Sequence, residues 1–507
     1  MALTVNDIDY HDTKTWELIQ SGFAGGVFQC ESKLVQNWLK KIKPKNIWEL
    51  SIVIAIVRPG PLMSGYAERL VENKNSGRIQ SFNNEIVDSV LSSTFGIPCF
   101  QEQLMFLGSK LAWPHLPAKE RDLKVDNLRK AVGKKNQAKI LEIGALFVEG
   151  CVANQVPKEL ADKLFELIKN SGRYAFNLSH SIAYAHVAYK TAWLKTNFPK
   201  EFFTTYFDYA EESQYKWDDI KELSNECKIF GIDFLSPNIN SKNANFAIEG
   251  NAIRYGLSHM KYGPSMKLME TIVDLPRIDS WQKFIIFTMT DRFGDKPRSN
   301  TVESLIWTGA FHDTGLSRST LYGLYDLFSF FTDKELEQIL QKLNDTVKIE
   351  DLKGFLHSSI TKINIRRKSK VDSKIEFFKI VKDHPSTIAD KEQEILGTII
   401  SASSVDGKMH DAYHTCVECF GDIPENTKKR IAVVINEVIP TITKKGQNPG
   451  QKMARITVSD SSGSLENLPV FPNLFQQIDS LLIPRNTVTL DLNMGKNGWI
   501  IQNVQQI

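Results

Sequence analysis

A mainly helical protein of several domains, ending in a small all-β barrel, is what three features of this sequence predict. First, 507 residues are too many for one hydrophobic core, so three or four domains of ordinary size are expected. Second, from Leu104 to Leu194 the apolar residues recur almost throughout with the 3.6-residue period of helices, broken only at Trp113-Pro114 and Gly172. Third, from Lys429 onward the pattern changes to short alternating runs divided by Gly, Asn and Ser turns.

Helical spacing begins at Asp12 and runs to Lys41, and the glycines of Gly22-Phe23-Ala24-Gly25-Gly26 divide it into two helices, the second from about Ser32. Ile47 to Val57 is a third helix, and Arg58-Pro59-Gly60-Pro61 forbids its continuation. Beyond Pro199 a helical region reaches about Ile229, Gly231 to Leu257 alternates as short strands, and helices return from Pro264 to Leu343. Asp345 to Asp390 is charged and poorly periodic, which predicts a connection between domains. The barrel strands are expected at Arg430 to Ile439, Lys452 to Asp460, Ser464 to Phe471 and Thr487 to Asn493, in the order that a five-stranded OB barrel would use.

Composition bounds the function. With 42% hydrophobic and 24% charged residues the chain is globular, and no stretch approaches the roughly 20 apolar residues of a membrane helix. A cytoplasmic protein without a membrane partner is expected. Six scattered cysteines suit a reducing compartment, so disulfides are not expected. The net charge of +3 advertises no polyanionic partner by itself, which leaves local charge to carry any such case. Residues 119 to 139 hold eight Lys or Arg against three acids, a surface suited to phosphates or, equally, a solvated helix face. A second basic run, from Lys362 to Lys382, is expected to be a linker or an exposed tether. His410, His414, Cys416 and Cys419 have spacing that would ligate zinc if the segment folded round the ion, but buried thiols and solvated imidazoles are the default, and no metal is assigned.

Several motifs then line up in one order. They are Gly26-Val-Phe-Gln-Cys-Glu-Ser32, Arg58-Pro-Gly-Pro61, Thr94-Phe-Gly-Ile-Pro-Cys-Phe-Gln-Glu-Gln103, Leu128-Arg-Lys-Ala-Val-Gly-Lys-Lys135 and Tyr174-Ala-Phe-Asn-Leu-Ser-His-Ser-Ile-Ala-Tyr-Ala185, the last followed by Lys190-Thr-Ala-Trp-Leu-Lys195. Together they resemble the alpha subunit of bacterial DNA polymerase III. Looser similarity continues through Phe230-Gly231-Ile232, Pro237 to Asn240, Leu305 to Phe311 and Glu394 to Gly397. The resemblance implies fingers over 1–205, the end of the fingers and a helix-hairpin-helix-like region over 206–343, a connecting segment over 344–428 and an OB-type barrel over 429–507. It also implies that the family's PHP domain and the palm carboxylates that hold Mg²⁺ lie upstream of everything present here, so no catalytic residue is expected in this chain.

What the resemblance assigns is a binding role. The incoming dNTP would meet Arg129, Lys130, Lys134 and Lys135 through its triphosphate, Tyr174 through its base or sugar, and His180 beside its ribose, with Asn177 in the same motif. Primer-template DNA would meet Arg58, Lys190 and Lys195 in the fingers and Lys444, Lys445, Lys452 and Arg455 in the barrel. The expected function is one part of a split replicative DNA polymerase, a DNA-directed nucleotidyltransferase completed by a separate PHP-palm chain. The alternative is a non-catalytic nucleic-acid-binding module derived from such an enzyme. A sliding clamp enters as a partner only through Gln477-Ile-Asp-Ser-Leu-Leu482, faintly like a clamp-binding peptide but placed between strands, where packing in the barrel is expected. Two departures weaken phosphate contact: Leu178 stands where the family usually has lysine, and Tyr262-Gly-Pro-Ser265 replaces a Gly-Val-Gly-type hairpin, with Pro264 lacking an amide donor.

Overall fold

The structure is a computed structural model, and it describes every residue except 1–3, 5–6, 80, 134–136, 172–175, 211–215, 402–404, 406–413, 422, 444–448, 461, 485, 497 and 507. The chain divides into two compact units, Met1–Phe198 and Pro199–Ile507.

The first unit is helical, and its organising element is the 20-residue helix Leu178–Asn197. Ala185, Ala188 and Ala192 are buried along it, and their small side chains let the helix Ile47–Ile56 approach closely. That partner buries seven of its ten residues, Leu50 to Ile56, as its nearly continuous apolar sequence requires. Ser181 Oγ donates to the carbonyl of Ser51 at 2.6 Å and fixes the register of the pair. The predicted break at Gly22 holds: Gly22 sits at φ +74, closes the helix Thr13–Ser21 and donates to the Ile19 carbonyl. Arg58-Pro59-Gly60-Pro61 ends one helix as expected, but Pro59 then opens a short new one, Pro59–Met63, because proline is tolerated in a first turn that has no intrahelical donor to lose. A separate core of Leu107, Trp113, Ile140, Phe147 and Leu164 binds Ala118–Gly133, Gln137–Ala153 and Lys158–Ser171 together.

The second unit contains one large core rich in rings, including Phe203, Phe207, Phe246, Tyr255, Phe284, Phe311 and Phe328. Three short strands, β1 (Asp233–Leu235), β2 (Ala247–Glu249) and β3 (Ala252–Arg254), form a small sheet in the order β1-β3-β2. The expected connection between domains is different in the structure. Leu352–Ser359, Ile365–Phe377 and Pro385–Leu396 are helices whose Leu352, Leu356, Val371, Ile375, Ile395 and Leu396 enter the same core, joined by Phe378 just after the second helix. Their apolar residues keep helical spacing, but each stripe is narrow and most remaining positions are polar or charged, which hides the period from a sequence reading.

The barrel comprises β4 (Lys428–Ile442), β5 (Lys452–Asp460), β6 (Gly463–Val470), β7 (Thr487–Gly495) and β8 (Gly498–Gln506), all antiparallel in the order β6-β5-β4-β7-β8. The 15-residue β4 is shared: Lys428 to Val434 pairs with β7, while Val434 to Ile442 pairs with β5 across a bulge at Ile435/Glu437 that helps the sheet curl. The edge strands β6 and β8 meet, and the helix Pro472–Ile478 lies between β6 and β7, the arrangement of an OB-type barrel. Ile478 and Leu482 are buried in its core, so the faint clamp-like peptide is packed where the sequence placed it.

All six cysteines are free and buried. Burial raises the Cys30 and Cys151 thiols to about 12. Thiolate is the reactive form, so a colourless aromatic disulfide reagent is expected to titrate six thiols in denaturant and fewer than one per chain, over minutes, in the folded protein. Rapid native labelling would show that a cysteine is accessible.

Candidate functional site

The start of the helix Leu178–Asn197 is the focus of the first unit. Phe100 and Phe176 form a parallel bridge in which Gln101 N donates to the Phe176 carbonyl at 2.9 Å and Phe176 N to the Cys99 carbonyl at 3.0 Å. Asn177 caps the helix: its Oδ1 accepts from the His180 amide at 2.9 Å and from Ser179 Oγ at 2.7 Å. Its Nδ2 donates to Glu102 Oε1, and the Leu178 amide donates to Glu102 Oε2, both at 2.9 Å. Asn177 is therefore occupied on both of its polar atoms. The Glu102 carboxylate meets the positive end of the helix dipole, where a bound anion would otherwise be favoured. Sequence reasoning quoted Glu102 within a motif and gave it no role, because its partners lie 75 and 76 residues away.

Beside this cap runs a partly exposed line of rings and one cation. The Arg58 guanidinium lies 4.1 Å from the Phe176 ring centroid, Phe176 lies 5.3 Å from His180, His180 lies 3.8 Å from Tyr184, and Tyr184 lies 5.0 Å from Phe28. Arg58 also donates from Nε and Nη2 to the Ala55 carbonyl at 3.0 and 2.9 Å, which orients it, and burial pushes its guanidinium down from the ordinary value. Such a face offers π surfaces and a fixed cation.

Of the remaining predicted residues, Lys130 is exposed and paired with Asp126 at 2.7 Å, so part of its charge is already met within its own helix. Lys190 is half-buried. Tyr174, Lys134 and Lys135 lie outside the described residues, and so does the side chain of Arg129. Lys195 corrects the expectation of a DNA contact. It is fully buried, and its Nζ donates to the carbonyls of Gly25 at 2.6 Å and Phe23 at 3.1 Å. Four residues earlier, Thr191 Oγ1 accepts from the Phe28 amide at 3.2 Å. One helix face thus grips the glycine loop from two points and sets Phe28 against Tyr184.

In the barrel, Lys452 and Arg455 are exposed, but three residues apart on one strand they fall on opposite faces and form no common stripe. Arg455 donates to the Asn467 carbonyl at 3.2 Å. Lys444 and Lys445 lie outside the described residues. A groove of about 690 Å³ that the sequence did not reveal is lined by Lys428, Lys429, Arg430, Asp491, Asn493 and Gln502. Arg430 binds Asp491 through two hydrogen bonds, of 2.5 and 2.8 Å, and these hold the Asp491 carboxyl below its ordinary value. His410 lies outside the described residues. Cys416 and Cys419 are packed in the barrel core, with burial raising both thiols, Cys419 to about 12. Among the described residues no group of three His, Cys, Asp or Glu side chains stands ready for a metal ion, and no helix is long and apolar enough to cross a membrane.

Residues 1–155 match the bacterial DNA polymerase III alpha subunit finger domain, and residues 231–321 match a helix-hairpin-helix motif. The chain is similar to DNA polymerase III subunit alpha of Aquifex aeolicus, 29% identical over 479 residues that cover 94% of this chain and 37% of that one. It is 28% identical to the subunit of Deinococcus radiodurans, covering 94% and 34%, and 28% identical to that of Haemophilus influenzae, covering 96% and 40%. The chain is similar to these alpha subunits over 94–96% of its length. It spans 34–40% of the length of these three relatives. The line from Arg58 to Phe28 lies within the first compact unit: Phe28 and Arg58 fall inside the finger-domain match and Phe176, His180 and Tyr184 beyond its end, while the segment Tyr262 to Ser265 lies inside the helix-hairpin-helix match.

Proposed function

We propose that this chain is the fingers and DNA-binding portion of a split replicative DNA polymerase, taking dNTP and primer-template DNA and docking with a separate PHP-palm chain for DNA-templated synthesis. The observation that carries the reading is the cation-aromatic face at the start of Leu178–Asn197, in a chain whose first 155 residues match the finger domain. The triphosphate would meet Arg129, Lys130, Lys134 and Lys135, Tyr174 would pack on the nucleotide, and the exposed His180 ring would crowd a 2′-hydroxyl. Asn177 acts through the helix start, because it holds the backbone of His180. Nucleotidyl transfer uses Mg²⁺ to activate the primer hydroxyl and stabilise the leaving pyrophosphate. The described residues gather no donor set that fits these ions, so in this reading the palm chain holds them.

Glu102 and Leu178 favour a second reading. A carboxylate at the helix start, with an apolar residue where the family usually carries lysine, lowers the affinity of that end for phosphates. A non-catalytic nucleic-acid-binding module would tolerate this better than a nucleotide site would.

Primer extension with dNTPs and Mg²⁺ separates the two, using this protein alone and then mixed with a PHP-palm chain. Extension only in the mixture is expected. No extension in either, with DNA binding retained, would leave the binding module. In the active mixture His180→Ala is expected to raise ribonucleotide incorporation about tenfold, equivalent to ~1.4 kcal/mol of lost discrimination. Unchanged discrimination would remove His180 from the sugar site.

A further inference from the structure

The segment between Leu257–His259 and Met266–Asp274 is built differently from a phosphate-holding hairpin. Such a hairpin grips DNA with free backbone amides. Here the Gly263 amide is used inside the turn, donating to the Met260 carbonyl at 2.9 Å, and Pro264 has no amide. The Leu268 amide is taken by Ser265 Oγ at 3.3 Å. A side chain at Gly263 would bring its Cβ within 2.5 Å of the Leu257 carbonyl oxygen, so the turn itself is tightly constrained.

What this tip presents instead is apolar. Tyr262 is 55% exposed and Met266 86% exposed. Tyr262 stands at φ +60, a left-handed backbone that costs a bulky residue roughly 1–2 kcal/mol and a glycine almost nothing. A lone exposed ring is ordinary on a protein surface. A ring held out in solvent on a strained backbone, four residues from a thioether exposed almost completely, is a different matter. Lys261 Nζ lies 5.5 Å from the Tyr262 ring centroid and 3.8 Å from Glu394, so one cation flanks the ring without displacing it from solvent.

From this geometry we infer that the hairpin contacts unpaired nucleobases of single-stranded DNA, with Tyr262 as a stacking platform and Met266 packed beside the base. Every base has a π face, so the contact is tolerant of sequence and selective for strands whose bases are unstacked. A duplex hides those faces and offers phosphates, for which neither Gly263 nor Pro264 has a free amide. The inference rests on the DNA-binding reading given above.

The test uses the full chain and fluorescence anisotropy with a labelled oligothymidine and a mixed-sequence duplex of equal length. Tyr262→Gly relieves the backbone strain, so this variant is expected to fold at least as well as the parent by thermal melting. It is expected to bind the single strand about tenfold more weakly, with duplex binding changed less than twofold, and Tyr262→Phe is expected to restore single-strand binding. Single-strand affinity unchanged in Tyr262→Gly, or equal losses on both ligands, would overturn the stacking role while leaving DNA binding intact. Failure of the parent chain to bind either ligand would overturn the DNA-binding reading and this inference with it.

Discussion

Glu392→Ala is expected to destabilise the second unit by about 3–5 kcal/mol, the cost of leaving a buried charge without its partner. Glu392 is fully buried, and every oxygen is engaged. Oε1 accepts from Arg318 Nη1 at 2.8 Å and from Ser401 Oγ at 2.5 Å, while Oε2 accepts from the amides of Ile400 at 2.7 Å and Ser401 at 2.9 Å. Alanine would strand the Arg318 guanidinium and two backbone donors together. Among the described residues, Arg318 keeps the Trp307 carbonyl, at 2.7 Å, and Ser401 Oγ, at 2.7 Å, as neutral acceptors. Glu392→Gln preserves the shape but turns an NH₂ toward groups that are themselves donors, so about 1–3 kcal/mol is expected from the unsatisfied contacts. Replacing both charges, as in Arg318→Met with Glu392→Leu, should cost less than Glu392→Ala because no orphaned ion remains. Urea unfolding followed by far-UV circular dichroism gives all three values. A loss below about 1 kcal/mol for Glu392→Ala would show that water reaches the guanidinium, since an exposed pair contributes about that much or less.

This ion pair also shows why part of the molecule escapes the sequence. Arg318 and Glu392 are 74 residues apart, and neither carries a local signal that it is buried. What the sequence displays well is local. The glycine break before Phe23, the end of a helix at Arg58 and four of the five barrel strands follow from turn residues and alternation. The fifth, β8, is missed because its run Gly498-Trp-Ile-Ile-Gln-Asn-Val-Gln-Gln506 is half polar, and its value lies in closing the barrel against β6. The helices from Leu352 to Leu396 are missed for a related reason: their contribution is a narrow apolar stripe under a highly charged surface. In the site, the motif order pointed to Asn177, His180 and Arg58, and these lie near one another. It could not assign Glu102 its capping role, nor distinguish a surface lysine from one that folds inward.

Lys195 is that inward lysine, and Lys195→Met is the sharpest test of it. Lysine is almost never fully buried unless paired, so a lysine near the end of a helix is ordinarily expected at the surface. Here the pairing is with two carbonyls of the glycine loop, which must themselves be satisfied once removed from water. Methionine fills much of the same volume but donates nothing, so the carbonyls of Phe23 and Gly25 lose a charged donor. The expected cost to the first unit is about 2–4 kcal/mol. Lys195→Arg should not rescue it, because a planar fork replaces a compact ammonium in a closed space. With the loop loosened, Phe28 keeps its bond to Thr191 and its contact with Tyr184 but loses a firm base, and the ring line loses its end. A phosphate contact would behave otherwise: stability would hold, and the slope of log binding against log salt would fall by about one. Measuring the melting transition and the salt slope on the same variant decides between them. A stable Lys195→Met with a reduced salt slope would return Lys195 to the DNA surface, whereas a lower melting temperature with the slope unchanged would establish it as the clamp on the glycine loop.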